Sequence, residues 1–346
     1  MSLLLDRSTA FARVLASLVL CALLVPHSWA QDAAKPRELK LSVAVGPAFA
    51  LGKAAATWAK LVGERSAGAL PVALLPGATL AQRDPDREFA ALREGAADLA
   101  VGSTLHWSAQ VPELAVVGLP WLAPERGALE ALAKGPLQDR LFAAVERAGA
   151  MPLALAPLDH RAIAVRGRSV QVPEDLRGLR IRIAPTRFLV DLYAGLGTIP
   201  FSMPFAEAAT RFRDGSLDAQ EGPVATFAAA RLDSLGFRSV TLLDGVAELA
   251  VFAVNRMAWE KWTVDQREIV RRAALDAAVE LTRLASSERD EALATLKTRN
   301  FELLRLTASG RAAFVAAARP TYDKWAAVAG EELVRAAEST VKAARP

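Results

Sequence analysis

Few side chains in this 346-residue sequence are of a type or spacing that does covalent chemistry. Histidine occurs only at His27, His106 and His160, and the single cysteine is Cys21. Two or three scattered histidines with no cysteine beside them cannot assemble a multi-histidine metal site. No metal and no other cofactor is therefore expected. No Gly-x-Ser-x-Gly elbow, Gly-x-x-x-x-Gly-Lys phosphate loop or Gly-x-Gly-x-x-Gly fingerprint occurs. The sequence carries 38 acidic residues, but no spacing among them marks an acid–base pair. What the spacing does mark is arginine. In Leu179-Arg180-Ile181-Arg182-Ile183 the apolar residues take one face of a strand and Arg180 and Arg182 the other. Arg182 lies near the carboxyl end of that strand, where open parallel sheets bind ligands. A guanidinium there can hold a carboxylate through two parallel, charge-assisted hydrogen bonds. From periodicity alone the favoured reading is an exposed surface arginine.

The elements that would position it can be read in order. Leu39 to Val45 alternates as a strand does, and Gly52 to Ser66 carries Trp58, Leu61 and Val62 at helical spacing. Pro71 to Leu75 is a second strand. Asp84-Pro85 opens another helix, with the aspartate as cap and the proline in the first turn. Asp98 to Val101 is a third strand, Gly127 to Gly149 reads as one helix, and Met151 to Ala156 leads out of the domain. Alternating strands and helices predict a parallel sheet covered on both faces. A second unit begins near Asp159. It contains strand Leu179 to Ile183, a helix from Arg187 capped by Thr186, a helix Phe205 to Arg213, a segment Ala219 to Gly222 just beyond a turn, and strands Val240 to Leu243 and Ala250 to Asn255. Thr263-Val264-Asp265-Gln266 is a capping box. It opens a helix running to about Arg299, roughly 50 Å long at 1.5 Å per residue and able to lie across two lobes. Thr307 to Ala318 and Tyr322 to Ala344 supply two more helices.

Met1 to Ala30 reads as a cleaved secretory leader: Arg7 and Arg13 lead, Val14 to Val25 is apolar, and Ser28-Trp29-Ala30 is a small-x-small cleavage site. The apolar run is shorter than the roughly 20 residues a bilayer-crossing helix needs, and no other segment qualifies. Cys21 lies in the leader, so the mature chain has no disulfide to form. At 52% hydrophobic residues the chain is globular. The formal charge of +4 falls to +3 when Asp6, Arg7 and Arg13 leave. Basic residues are interspersed with acids, which argues against nucleic acid as a partner.

Taken together and in order, several segments resemble the solute-binding proteins of tripartite ATP-independent periplasmic (TRAP) transporters, the DctP family. The most specific is Pro173-Glu174-Asp175-Leu176-Arg177-Gly178-Leu179-Arg180-Ile181-Arg182-Ile183. It is followed by Leu196-Gly197, Pro204-Phe205-Ala206-Glu207 and Gly215-Ser216-Leu217-Asp218-Ala219-Gln220-Glu221. Leu119-Pro120-Trp121-Leu122 and Val254-Asn255 with Trp259 also fit.

The resemblance implies an α/β, two-lobed periplasmic-binding-protein fold with parallel-core sheets, hinge strands and a long helix spanning both lobes. Residues 36–157 plus 247–286 would form lobe I, and 158–246 plus 287–346 lobe II with the C-terminal helices. It further implies that the chain captures a small organic carboxylate by hinge closure and hands it to TRAP membrane permease subunits in the periplasm, without enzymatic turnover. Arg182 takes the family's carboxylate-binding position, and Arg161 that of an assisting arginine. Gln220 and Glu221 are further candidates. Phe49, Thr104 and Trp107, each after a strand, would line the opposite wall, with Trp107 able to stack on a ligand body. One departure stands out. The family reads Asp-Gly-Gln-Glu-Asn-Pro where this chain has Asp218-Ala219-Gln220-Glu221-Gly222-Pro223. Gly222 thus replaces an asparagine that commonly bonds the ligand, and could make room for a bulkier one. Two other readings stay open: an exported receptor for a sensor kinase, and a periplasmic hydrolase using Glu221 or His160.

Overall fold

The computed structural model describes residues 36–344; the expected leader, Met1 to Ala30, lies outside the described residues. Eleven strands are described: β1 (Leu39–Val43), β2 (Val72–Pro76), β3 (Leu99–Ser103), β4 (Ala150–His160), β5 (Ala162–Val165), β6 (Arg180–Ile183), β7 (Ile199–Ser202), β8 (Ala219–Gly222), β9 (Ser239–Leu242), β10 (Ala247–Asn255) and β11 (Glu302–Arg305). They form two sheets. The first has the order β2-β1-β3-β10-β4 and the second β11-β9-β5-β8-β6-β7. β1, β2 and β3 are mutually parallel, and β10 runs antiparallel between β3 and β4. In the second sheet β6 is parallel to β7 and β8, while β5 is antiparallel to its neighbours β8 and β9.

The chain passes between the sheets where β4 meets β5 and where β9 gives way to β10. These crossings are bonded to each other: the Arg161 backbone N–H donates to the Val246 carbonyl at 2.9 Å. The helix Val264–Thr298 makes the third connection. Its capping box is formed as expected, with Thr263 and Gln266 satisfying each other's backbone N–H groups. Val270, Ala273, Ala274, Ala277 and Leu281 pack with the core of the first sheet, Ala292 and Leu296 with that of the second. Small residues let the helix lie close to β4, and the Trp58 indole N–H fixes it by donating to the Val270 carbonyl at 3.1 Å. Arg289, on the same helix, pairs with Asp159 at 2.6 Å and Asp244 at 2.8 Å, one acid from each crossing.

Two expectations need correction, and one packing contact bears on a third. Gly127 to Gly149 is two helices, Arg126–Leu132 and Gly135–Arg147. Pro136 lacks the N–H an interior position requires and instead starts the second one. Conversely, Pro320 does not end a helix. Ala308–Ala329 is continuous because Phe314, Ala318, Thr321 and Trp325 bury one stripe on both sides of the proline, and the break comes at Gly330, with φ +98°. Finally, the last helix, Glu331–Ala343, packs against the helices that flank the first sheet. Its apolar stripe of Leu333, Val334, Ala337 and Val341 belongs to the same core cluster as Leu129, Leu132 and Leu141.

Candidate functional site

Arg180 and Arg182, equivalent by periodicity, have different fates. Arg180 forms a two-pronged pair with Asp218, at 2.8 and 2.7 Å, and is half exposed. Arg182 is buried, at 8% exposure, and has no carboxylate within salt-bridge distance among the described residues. Its Nε donates to the Met203 carbonyl at 2.9 Å. The guanidinium carbon lies 5.9 Å from the centre of the Phe205 ring, a cation–π distance. Burial pulls the Arg182 pKa down to about 10; Glu221 opposes that shift, and the like charge of Arg161 adds to it. A desolvated guanidinium without an anion is unfavourable, and its strongest remedy is a bidentate carboxylate.

Arg161 is placed otherwise. Its Nη2 donates to Glu221 Oε2 at 3.0 Å, its Nε to the other oxygen of the same carboxylate, and its Nη1 to Glu248. All three residues are buried. Burial alone would lower the Arg161 pKa, but Glu221 and then Glu248 outweigh it and the value is raised. Burial is the largest influence on Glu248 and acts to raise its pKa, but the charges of Arg161 and His106, with hydrogen bonds from Ser103 and Arg161, together outweigh it and hold the carboxyl below its usual range. The triad joins the crossing at β4–β5 to β8 of the second sheet and β10 of the first. Sequence reasoning missed Glu248. Its signal was a lone acid in the otherwise apolar run Ala247-Glu248-Leu249-Ala250-Val251, since a charge in a buried strand requires a partner.

The register sets Gln220 directly beside Arg182 on the adjoining parallel strand. Gln220 is 1% exposed; its amide Nε2 donates to the Glu221 carbonyl, and its Oε1 has no partner among the described residues. Gly222 closes the strand with φ +157°. A β-carbon built on it would come within 3.2 Å of Thr226 Oγ1 and 3.4 Å of Phe227 Cε1. A side chain at this position would therefore press on Thr226 and Phe227.

Of the opposite wall, Phe49 meets the second sheet, packing against the apolar cluster around Phe212 and Phe227 alongside Phe201 and Phe205. Thr104 is buried, and its Oγ1 accepts the Leu249 backbone N–H at 3.1 Å, which holds β10 in place. Trp107 is fully buried, edge-on to Phe89 at 5.2 Å. Its indole nitrogen lies beside the Glu88 carboxyl, outside hydrogen-bond geometry. Glu221 is held by Arg161, and His160 Nε2 lies 2.7 Å from the Ala123 carbonyl. Two surface hollows, one along Leu306 to Ala316 and one between Trp121 and Tyr322, include none of these residues.

Two α/β halves, joined by paired crossings and one bridging helix, with an unpaired buried cation near the junction, define a two-lobed binding protein. The chain belongs to the DctP family: the family model described as bacterial extracellular solute-binding protein, family 7, matches residues 41–328. A TRAP periplasmic solute-binding protein from Ralstonia eutropha H16, with bound (S)-2-acetolactate, superposes with a TM-score of 0.84 at 38% identity, over 88% of this chain and 98% of that one. The sugar acid binding protein DctPAm from Advenella mimigardefordensis, in complex with galactonate, shares the fold at a TM-score of 0.82 and 22% identity, over 90% of this chain and 99% of that one. The C4-dicarboxylate-binding periplasmic protein DctP of Rhodobacter capsulatus is 26% identical over 308 residues, 88% of this chain and 91% of its own. The resemblance carried by the Pro173 to Ile183 segment and its companions is thereby borne out at the level of family and fold.

Proposed function

We propose that the protein captures a small organic carboxylate between its two halves, holds it on Arg182, and delivers it to TRAP permease subunits in the membrane. The observation that carries this reading is the buried Arg182 guanidinium, for which the described residues supply a carbonyl but no acid within salt-bridge distance. Phe49, resting on the second sheet's apolar cluster, acts as the shield that closes over the anion. Excluding water there strengthens the pair. Gln220 and the Glu221–Gly222 strand end contribute the floor, and Arg161 sets its charge. The hinge falls where the chain passes between 36–157 plus 247–286 and 158–246 plus 287–330, with the last helix travelling with the first half. Met1 to Ala30 directs export as a signal peptide and is then cleaved.

A thermal-shift screen of organic acids tests the binding step. Ligand at 100 times its Kd adds about 2.7 kcal/mol of stability, and the bound compound should be recovered unchanged by mass spectrometry. A screen in which every stabilising acid acts equally on Arg182→Ala would remove the basis of this reading. Recovery of a converted product would favour an enzyme.

A further inference from the structure

We infer that the Arg182 site selects a short 2-hydroxy monocarboxylate and discriminates against dicarboxylates of the same size. This rests on the reading of Arg182 as the anchor and goes further, because it is a matter of how many buried charges are left to meet the ligand's.

Arg161 and Arg182 are the two arginines buried among the described residues, and no lysine is buried with them. Arg161 has no charge to spare: Glu221 takes two of its N–H groups and Glu248 a third. That triad carries one net negative charge. Tyr193, fully buried near Glu221 and Arg161, has its pKa raised by burial and remains a neutral phenol. Arg182 therefore offers one anchoring cation and no more, and the field of Glu221 already offsets part of its charge. A second carboxylate on the same small molecule would be desolvated without a cation, close to a cluster that is already anionic. Burying an uncompensated charge beside like charges is the standard means of rejecting a partner.

The hydroxyl requirement comes from Gln220. This side chain lies across from Arg182 in register, on the same face of the sheet. Its Oε1 is buried with no donor, and a buried acceptor left unpaired is costly. A hydroxyl on the carbon next to the bound carboxylate supplies that donor. Phe49, Phe201 and Phe205, all joined to one apolar cluster, suit an aliphatic remainder.

Four probes separate the charge from the hydroxyl: 2-hydroxyisovalerate, isovalerate, malate and succinate, each titrated calorimetrically into the full mature protein and into Arg182→Ala. The expected order is 2-hydroxyisovalerate first, isovalerate about 10-fold weaker for the lost hydrogen bond, and both dicarboxylates on the order of 100-fold weaker. Binding of 2-hydroxyisovalerate should weaken by at least about 30-fold in Arg182→Ala. Malate or succinate binding as tightly as 2-hydroxyisovalerate, in an Arg182-dependent way, would overturn the inference and leave the proposed function standing. No Arg182-dependent binding by any of the four, nor by the wider acid screen, would sink both. Glu248→Gln, once shown by its thermal transition to be folded, offers a second readout. It frees part of the Arg161 charge, so the ratio of monocarboxylate to dicarboxylate affinity should fall at least about 10-fold. An unchanged ratio would also overturn the inference.

Discussion

Arg182 Nε is tethered to the Met203 carbonyl at 2.9 Å, so the fork of its two terminal nitrogens is held in one orientation before any ligand arrives. Met203 follows β7, and β7 is the strand that flanks β6 on the side away from Gln220. The anchoring residue is thus locked by its own sheet. Preorganisation of this kind lowers the entropy lost on binding. Replacing Arg182 by alanine should weaken the captured carboxylate by about 2–5 kcal/mol. Lysine should recover only part of that, because an ammonium cannot reproduce both the tether and a two-pronged contact. Calorimetric titration of the parent and both variants measures the difference. Full affinity in the lysine variant would show that geometry is unimportant here.

Arg161 should behave in the opposite way. Its charge is spent on Glu221 and Glu248, so its removal strands two buried carboxylates. Arg161→Met is expected to lose about 3–5 kcal/mol of folding stability, read from urea unfolding of the unliganded protein. Arg182→Ala in the same assay should lose far less, since the cation it removes has no acid partner among the described residues. Equal losses would contradict the division of labour between the two arginines.

Gly222 invites a repair that the structure argues against. Restoring the family's asparagine puts a β-carbon 3.2 Å from Thr226 Oγ1 at φ +157°, a backbone region that costs side-chain-bearing residues about 1–3 kcal/mol. Gly222→Asn should therefore lower the thermal transition and fail to tighten binding. A variant that is both as stable and a better binder would show that the strand end readjusts freely.

A buried acid away from the site sets a pH dependence. Glu88 lies under the first sheet, where Ser42 Oγ donates to its Oε1 at 2.7 Å. Burial raises its pKa from 4.5 to about 7, against the lowering influence of Ser42, His106 and Trp107. Below pH 4.5 both folded and unfolded chains hold the proton. Between 4.5 and 7 the unfolded chain releases it while the folded one keeps it, so this contribution to stability declines as pH rises and is gone above about 7. The loss is on the order of 3 kcal/mol. Glu88→Gln should flatten that part of the profile, as followed by chemical denaturation at pH 5, 6, 7 and 8. A variant whose profile parallels the parent's would assign the slope to other groups.

Much of this protein is legible along the chain because the deciding interactions are local. The capping box at Thr263 and Gln266, the Thr186 cap and the left-handed stop at Asn300 each involve residues within a few positions of one another. Apolar periodicity of 2 or 3.6 reports which face is buried without naming what buries it. For that reason the strands, the long helix and the two-unit order could be read in sequence. The short strands β5, β7 and β11 escape such a reading, since their four residues do not alternate as Arg180 to Ile183 does.

Tertiary structure decided the rest. Arg180 and Arg182 are two residues apart with the same neighbours in pattern, and only the fold brings Asp218 to one and none of the described acids to the other. Glu248 reaches Arg161 from 87 positions away. The pairing of charges depends on which strands adjoin, a property of non-local packing that no stretch of sequence contains by itself.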